Sequence, residues 1–179
     1  ERDGKPVRMG KRSEFVTLTE VVEEIGADAT RFMLLTRSAD SQMTLDLGLA
    51  VKQSSDNPVY YVQYGHARIA SILRRAAEQG LSPDADKLSL LTHPTELALI
   101  RQILRLEEVV EHAANNLAPH HLTYYAQDLA TAFHSFYHAC LVVGEDAALS
   151  AARLSLVKAA KIALANTLRL MGMSAPEKM

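Results

Sequence analysis

Apolar residues recur along this chain at spacings of three and four, segment after segment, and the fold class they predict is all-α. The first such segment is Leu18, Val21, Val22 and Ile25. It follows a Thr17-Leu18-Thr19-Glu20 capping box, in which a threonine hydroxyl and a glutamate carboxylate satisfy each other's backbone N–H groups, and it stops at Gly26. Asp28 stands where it can cap a second helix carrying Phe32, Met33 and Leu35 through to about Arg37. Ser38 to Thr44 reads as a turn region. Leu45, Leu47, Leu49 and Ala50 then begin another short helix running to about Gln53, before a break at Ser54 to Asp56.

The next segment organises the chain. Asn57-Pro58-Val59-Tyr60-Tyr61-Val62-Gln63-Tyr64-Gly65-His66-Ala67-Arg68 opens a helix of roughly six turns. Ser55 or Asp56 is placed to cap it, Pro58 sits in the first turn where a missing N–H costs nothing, and Gly80 is placed to end it. At about 100° per residue, Tyr61, Tyr64, Arg68 and Arg75 fall within roughly 60° of one another. Val62, Ile69, Ile72, Leu73 and Ala76 occupy an adjoining face broad enough to bury. The helix therefore has a core side and, beside it, an aromatic and basic edge.

Leu81 to Pro94, with its prolines, serines and short polar residues, reads as the longest loop. A single helix is expected from about Thr95 to Asn116, its stripe formed by Leu99, Ile103, Leu106, Val110 and Ala113 and widened by Leu97, Ile100 and Leu104. Another is expected from about Thr123 to Val142, with Tyr125, Leu129, Ala132, Phe136 and Cys140 facing inward and Phe133 and Tyr137 beside them. Gly144 ends it. Glu145 and Asp146 suit the first turn of a last helix, rich in alanine and leucine through Met171 and closed by Gly172. The tail from Met173 to Met179 looks disposable on composition alone.

Composition narrows the possibilities. At 179 residues the chain accommodates one sizeable helical core with a small appendage, not a second full domain. A net charge of −2 argues against non-specific coating of nucleic acid and leaves a local, shape-selective site open. Cys140 is the only cysteine, which excludes an internal disulfide and a multi-cysteine zinc site and fits a reducing cytoplasm. No apolar run is long and charge-free enough to span a membrane, so no membrane partner is expected. The chain opens on Glu1 without an initiator methionine and reads as a piece of something longer.

The tyrosine edge has two readings. Its rings are core aromatics with hydroxyls at the rim, or they form a platform for unstacked nucleic-acid bases, with Arg68 stacking on a base or holding a phosphate. Residues 1–14 form a polar stretch with Arg2, Lys5, Arg8, Lys11 and Arg12, which is either a frayed terminus or a basic loop with a task. His120 and His121 are adjacent, but no third ligand accompanies them at metal spacing, so no metal is assigned and a place near a phosphate suits them better. A Gly-rich phosphate loop, a hydrolase triad order, His-Glu-x-x-His and paired cysteines are all missing.

The run Asn57 to Arg68 resembles the start of the anticodon-binding domain of arginyl-tRNA synthetases, where Tyr-x-Gln-Tyr-x-His-Ala-Arg is characteristic; Gly65 here replaces the usual alanine. Arg8-Met9-Gly10-Lys11-Arg12-Ser13 is similar to the Lys-Met-Ser-Lys loop of class I synthetases, with Arg8 for the first lysine and Gly10 for the serine. Gly26-Ala27-Asp28-Ala29-Thr30-Arg31-Phe32 and the ending Ser174-Ala175-Pro176-Glu177-Lys178-Met179 add two more matches in family order.

The resemblance implies three parts: a catalytic-loop remnant at 1–14, a helical stem or connector at 15–54, and an α-helical anticodon-binding bundle at 55–179. It implies arginine tRNA as partner. In the full-length enzyme it also implies arginine, ATP with magnesium, and attachment of arginine to tRNA; the family's need for bound tRNA in arginine activation would give this part a tRNA-sensing role. Lys11 would then be the catalytic cation, neutralising charge as pyrophosphate leaves, within a nucleotide-binding set of Met9, Gly10, Lys11, Arg12 and Ser13. Tyr61, Gln63, Tyr64, Arg68, Tyr137 and Met179, the last through its carboxylate, would face the tRNA. The His-x-Gly-His motif of class I synthetases is missing. This part alone is therefore expected to be inactive and to hold no cofactor, and the whole to be a cytoplasmic monomer. Two alternatives stay open: the helical domain of another class I synthetase, of the cysteinyl or methionyl type, and a helical protein-interaction module.

Overall fold

The computed structural model describes residues 16–179, and these form eight α-helices and one 3-10 helix. The catalytic-loop residues Met9, Gly10, Lys11, Arg12 and Ser13 lie outside the described residues. Helices α1 (Leu18–Ile25), α2 (Ala27–Leu35) and α3 (Leu47–Ala50) come first. The long helix α4 (Pro58–Glu78) follows, and the 3-10 helix Ala85–Leu90 leads into α5 (Pro94–Leu104), α6 (Leu106–Asn115), α7 (His120–Ala139) and α8 (Ala147–Leu170). Among the described residues no helix is long and apolar enough to cross a membrane.

Local chemistry explains most of the boundaries. Thr17 and Glu20 form the expected capping box on α1. The cap of α4 is Asn57, not Ser55 or Asp56: its Oδ1 accepts from Val59 N, while its Nδ2 donates to the carbonyls of Ala50 and Lys52. One asparagine thus starts α4 and ties it to the end of α3, which a serine or aspartate has no N–H group to do. Asp28 does not cap α2 either. The cap position is Gly26, without a side-chain bond, and the Asp28 carboxylate is engaged elsewhere.

Two further expectations need correction. The helix expected over residues 95–116 breaks at Arg105, giving α5 and α6, and Leu104 turns outward at 72% exposure instead of widening the apolar stripe. Both pieces pack on α7, and the bend lets each keep its apolar side against it. The stretch read as a loop contains the 3-10 helix, started by Asp84 accepting from Asp86 N and packed on α8.

Helices α4, α7 and α8 pack against one another at the centre, α5 and α6 lie on α7, and α2 rests on α4 and α7. Phe133, Phe136, Leu129, Ile69, Val62, Leu164 and Leu168 are fully buried there. Each stabilises the fold by about 1.5–3 kcal/mol relative to leaving it in water. The small residues Ala126, Ala130, Ala160 and Ala163 let the three helices approach closely. Within this core Glu96 is 1% exposed; its Oε1 accepts from Arg153 Nε at 2.7 Å and its Oε2 from His93 N at 2.9 Å. Both carboxylate oxygens are satisfied, as burial of a charge requires.

Candidate nucleic-acid interface

The predicted edge of α4 exists and α7 completes it. Tyr64 is the most open of its rings, at 36% exposure, while Tyr60, Tyr61 and Arg68 are half-buried. Tyr60 lies one turn before Tyr64, so their rings stack, with centroids 5.9 Å apart and planes 12° from parallel. On the other side of Tyr64, His134 of α7 lies 6.0 Å away at 15°. Tyr61 meets the same imidazole at 4.8 Å. The rings of Tyr60, Tyr64 and His134 therefore form a nearly parallel series at the α4–α7 seam.

Arg68 is held across the same seam. Its Nη2 donates to the hydroxyl of Tyr137 at 2.8 Å, and its guanidinium carbon lies 5.0 Å from the Tyr137 ring centroid. Tyr137 in turn stacks on buried Phe133 at 5.8 Å and 26°. A guanidinium anchored by one of its five donors is pre-oriented for a base face or a phosphate. Burial, with the nearby charges of His138 and Arg68, pushes His134 below the ordinary imidazole value, so it is neutral at pH 7. A neutral imidazole beside Arg68 leaves the guanidinium as the edge's cation.

Gly65 faces this seam from α4. A Cβ built there would lie 3.7 Å from Ala130 Cβ and 3.7 Å from His134 Nε2, ordinary contact distances, so nothing here excludes alanine.

Of the residues expected to face a nucleic acid, Tyr61, Tyr64, Arg68 and Tyr137 come together. Gln63 does not join them: it is 9% exposed on another side of α4, donating to Asp28 and Ser174. Met179 is 56% exposed at the end of a tail whose hydrogen bonds run to that same side. Tyr60 and His134 are members that the sequence reading missed. The spacing of four from Tyr64 could have found Tyr60; His134 had no local signal, because only the pairing of α4 with α7 places it.

His120 and His121 form a cluster with His112 across the α6–α7 turn, with ring centroids 4.4 Å and 4.6 Å from His121. Among the described residues, no group of three histidine, cysteine or acidic side chains is arranged to hold a metal ion.

Comparison with known proteins agrees with this all-α fold. Over 180 residues the chain is 55% identical to an arginine–tRNA ligase of Dehalococcoides mccartyi strain CBDB1, covering 100% of this chain and 32% of that relative. It is 52% identical to an arginine–tRNA ligase of Citrifermentans bemidjiense, over 99% of this chain and 33% of that one. The chain spans about a third of the length of the curated relatives it matches. The Thermus thermophilus arginyl-tRNA synthetase structure superimposes with a TM-score of 0.82 at 30% identity, covering 99% of this chain and 34% of that one. The family model described as the DALR anticodon binding domain matches residues 62–179, which take in α5 to α8 and nearly all of α4. On that match the chain belongs to the DALR anticodon-binding domain family.

Proposed function

We propose that this chain is the tRNA-reading part of an arginine–tRNA ligase, recognising the anticodon region of an arginine tRNA through the α4–α7 edge. The observation that supports this most directly is the convergence of an open tyrosine, three further tyrosines and an arginine from two helices into one seam. Unpaired loop bases stack on such rings, and each stacked base contributes about 1–3 kcal/mol. Tyr61, Tyr64, Arg68 and Tyr137 form the contact set in this reading, with Tyr60 extending the stack. Gln63 serves the same site from the opposite flank of α4, and Met179 from the tail.

The complete protein attaches arginine to its tRNA using ATP and magnesium. Residues 1–14 then belong to its catalytic loop, with Lys11 as the cation, residues 15–54 form the stem, and residues 55–179 form the recognition domain. The enzyme acts as a cytoplasmic monomer.

The test is binding of the 179-residue chain to an arginine tRNA transcript at fixed salt, beside a transcript with a replaced anticodon and a Tyr64→Ala chain. Binding that is selective and lost in both controls supports the reading. Equal binding to every transcript would sink it. Salt sharpens the result, because contacts to phosphates weaken as counterion release becomes less favourable.

A further inference from the structure

The side of α4 away from the aromatic edge carries a second construction. Gln63 and His66 lie within about 60° of each other on the helix, and His66 lies roughly 160° from Arg68. Both are buried, and both are bonded to the last residues of the chain.

Asp28, near the start of α2, is the centre of this arrangement. Its carboxylate accepts the backbone N–H of Ser174 at 3.2 Å, the Ser174 hydroxyl in a short hydrogen bond, and Gln63 Nε2 at 2.8 Å. Gln63 Nε2 also lies 3.2 Å from the carbonyl of Ser174. One turn further along α4, His66 Nδ1 stands 2.8 Å from the carbonyl of Pro176, which can only accept, so His66 donates. Lys161 of α8 meets Glu177 at 2.6 Å, and buried Met173 anchors the start of the segment.

We propose that Asp28, Gln63 and His66 are positioning residues for RNA recognition. They strap residues 173–177 across α4, so that α2, α4 and the tail hold one geometry and the aromatic edge is presented in a fixed orientation. This rests on the tRNA-reading function proposed above. The strap joins a stem helix, the recognition helix and the chain's end through one carboxylate with three donors. Charge-assisted bonds of this kind are the stronger class, and losing one leaves partly buried donors unmatched. The far side of α4 thereby acts on RNA binding without touching RNA.

The charge of Asp28 makes the idea testable by sign. RNA is a polyanion, so if Asp28 acted only through its field, neutralising it would tighten binding. As a positioning residue, its neutralisation weakens binding. The experiment compares the native 179-residue chain with Asp28→Asn, Ser174→Ala and Tyr64→Ala. It reads affinity for native and anticodon-replaced arginine tRNA transcripts, together with amide hydrogen exchange at residues 174–177. Ser174 is exposed, so Ser174→Ala removes hydroxyl bonds to the strap while leaving the core intact.

Asp28→Asn is expected to speed exchange at 174–177 and to weaken native-transcript binding roughly tenfold, the scale of a lost charge-assisted hydrogen bond. Ser174→Ala should move both readouts the same way by less. Faster tail exchange with unchanged or tighter binding in both variants overturns the positioning role, and unchanged exchange in both overturns the strap itself. If instead the native chain binds every transcript equally and Tyr64→Ala changes nothing, the tRNA-reading function has failed and the positioning role falls with it. The exchange data then still report on the strap alone.

Discussion

The two sides of α4 use one short run of sequence in opposite ways. Tyr61, Tyr64 and Arg68 are partly open and meet rings or hydroxyls of α7, while Gln63 and His66, interleaved with them in sequence, are buried and bonded to the tail and to Asp28. Helical phase, not residue chemistry, makes the assignment. A glutamine and a histidine are as suited to a base edge as a tyrosine is, yet a rotation of 100° per residue sends them to the other flank. A functional run on a helix is therefore two lists, one for each flank, and the flanks are expected to fail in different ways when mutated.

The largest effect should come from the core that both flanks share. Ile69→Ala removes a fully buried side chain from α4 and should cost about 2–5 kcal/mol of stability, measured by denaturant unfolding. Tail protection and tRNA binding should weaken together, and a loss confined to one flank would show that the flanks are not mechanically joined. Next in size, Tyr64→Ala should cost about 1–3 kcal/mol of tRNA binding while moving stability far less, since that ring is more than a third exposed. A large fall in melting temperature would instead make Tyr64 a structural aromatic.

Gly65→Ala should stabilise the chain by about 0.5–1 kcal/mol, because the added methyl meets only ordinary contacts and helical alanine is favoured over glycine. Thermal melting checks this. A loss of stability would mean that the α4–α7 seam is tighter than its distances suggest.

Acid separates the flanks by their histidines. His66 and His134 are both held below the ordinary value of 6.5; burial is the main cause in each, offset in part for His66 by the Pro176 carbonyl. The unfolded chain then binds more protons than the folded one between the depressed and ordinary values. Stability is full above about pH 6.5 and falls as pH drops through the folded-state values. His66→Gln and His134→Gln melts across that range assign the loss to the strap or to the seam. Exchange at 174–177 should follow the His66 share. The smallest effect belongs to Glu177→Gln, which breaks a solvent-facing pair with Lys161 and should change stability by at most about 1 kcal/mol.

Much of the fold was legible because its signals are local. Thr17 with Glu20 announced α1, Pro58 announced α4, and Gly172, whose φ is +71°, announced the end of α8. What was missed depended on partners distant in sequence. Arg105 breaks a helix with no glycine or proline to signal it, because α5 and α6 both follow the surface of α7. Asp28 had the residue type and position of a cap, but a better set of donors came from Ser174 and Gln63.

By itself the sequence determined the all-α class, the start of α1 and of α4, and which stripe of α4 carries tyrosines and arginine, since these follow from local spacing and chemistry, and the run Asn57 to Arg68 carries the family resemblance. Only the tertiary structure decided that His134 of α7 joins that stripe, that Arg68 bonds to the hydroxyl of Tyr137 across the seam, and that a tail of disposable composition is held by Asp28, Gln63 and His66. The physical reason is that a side chain's periodicity is local, whereas the choice among competing hydrogen-bond and stacking partners is made by whatever packing brings within about 3–6 Å.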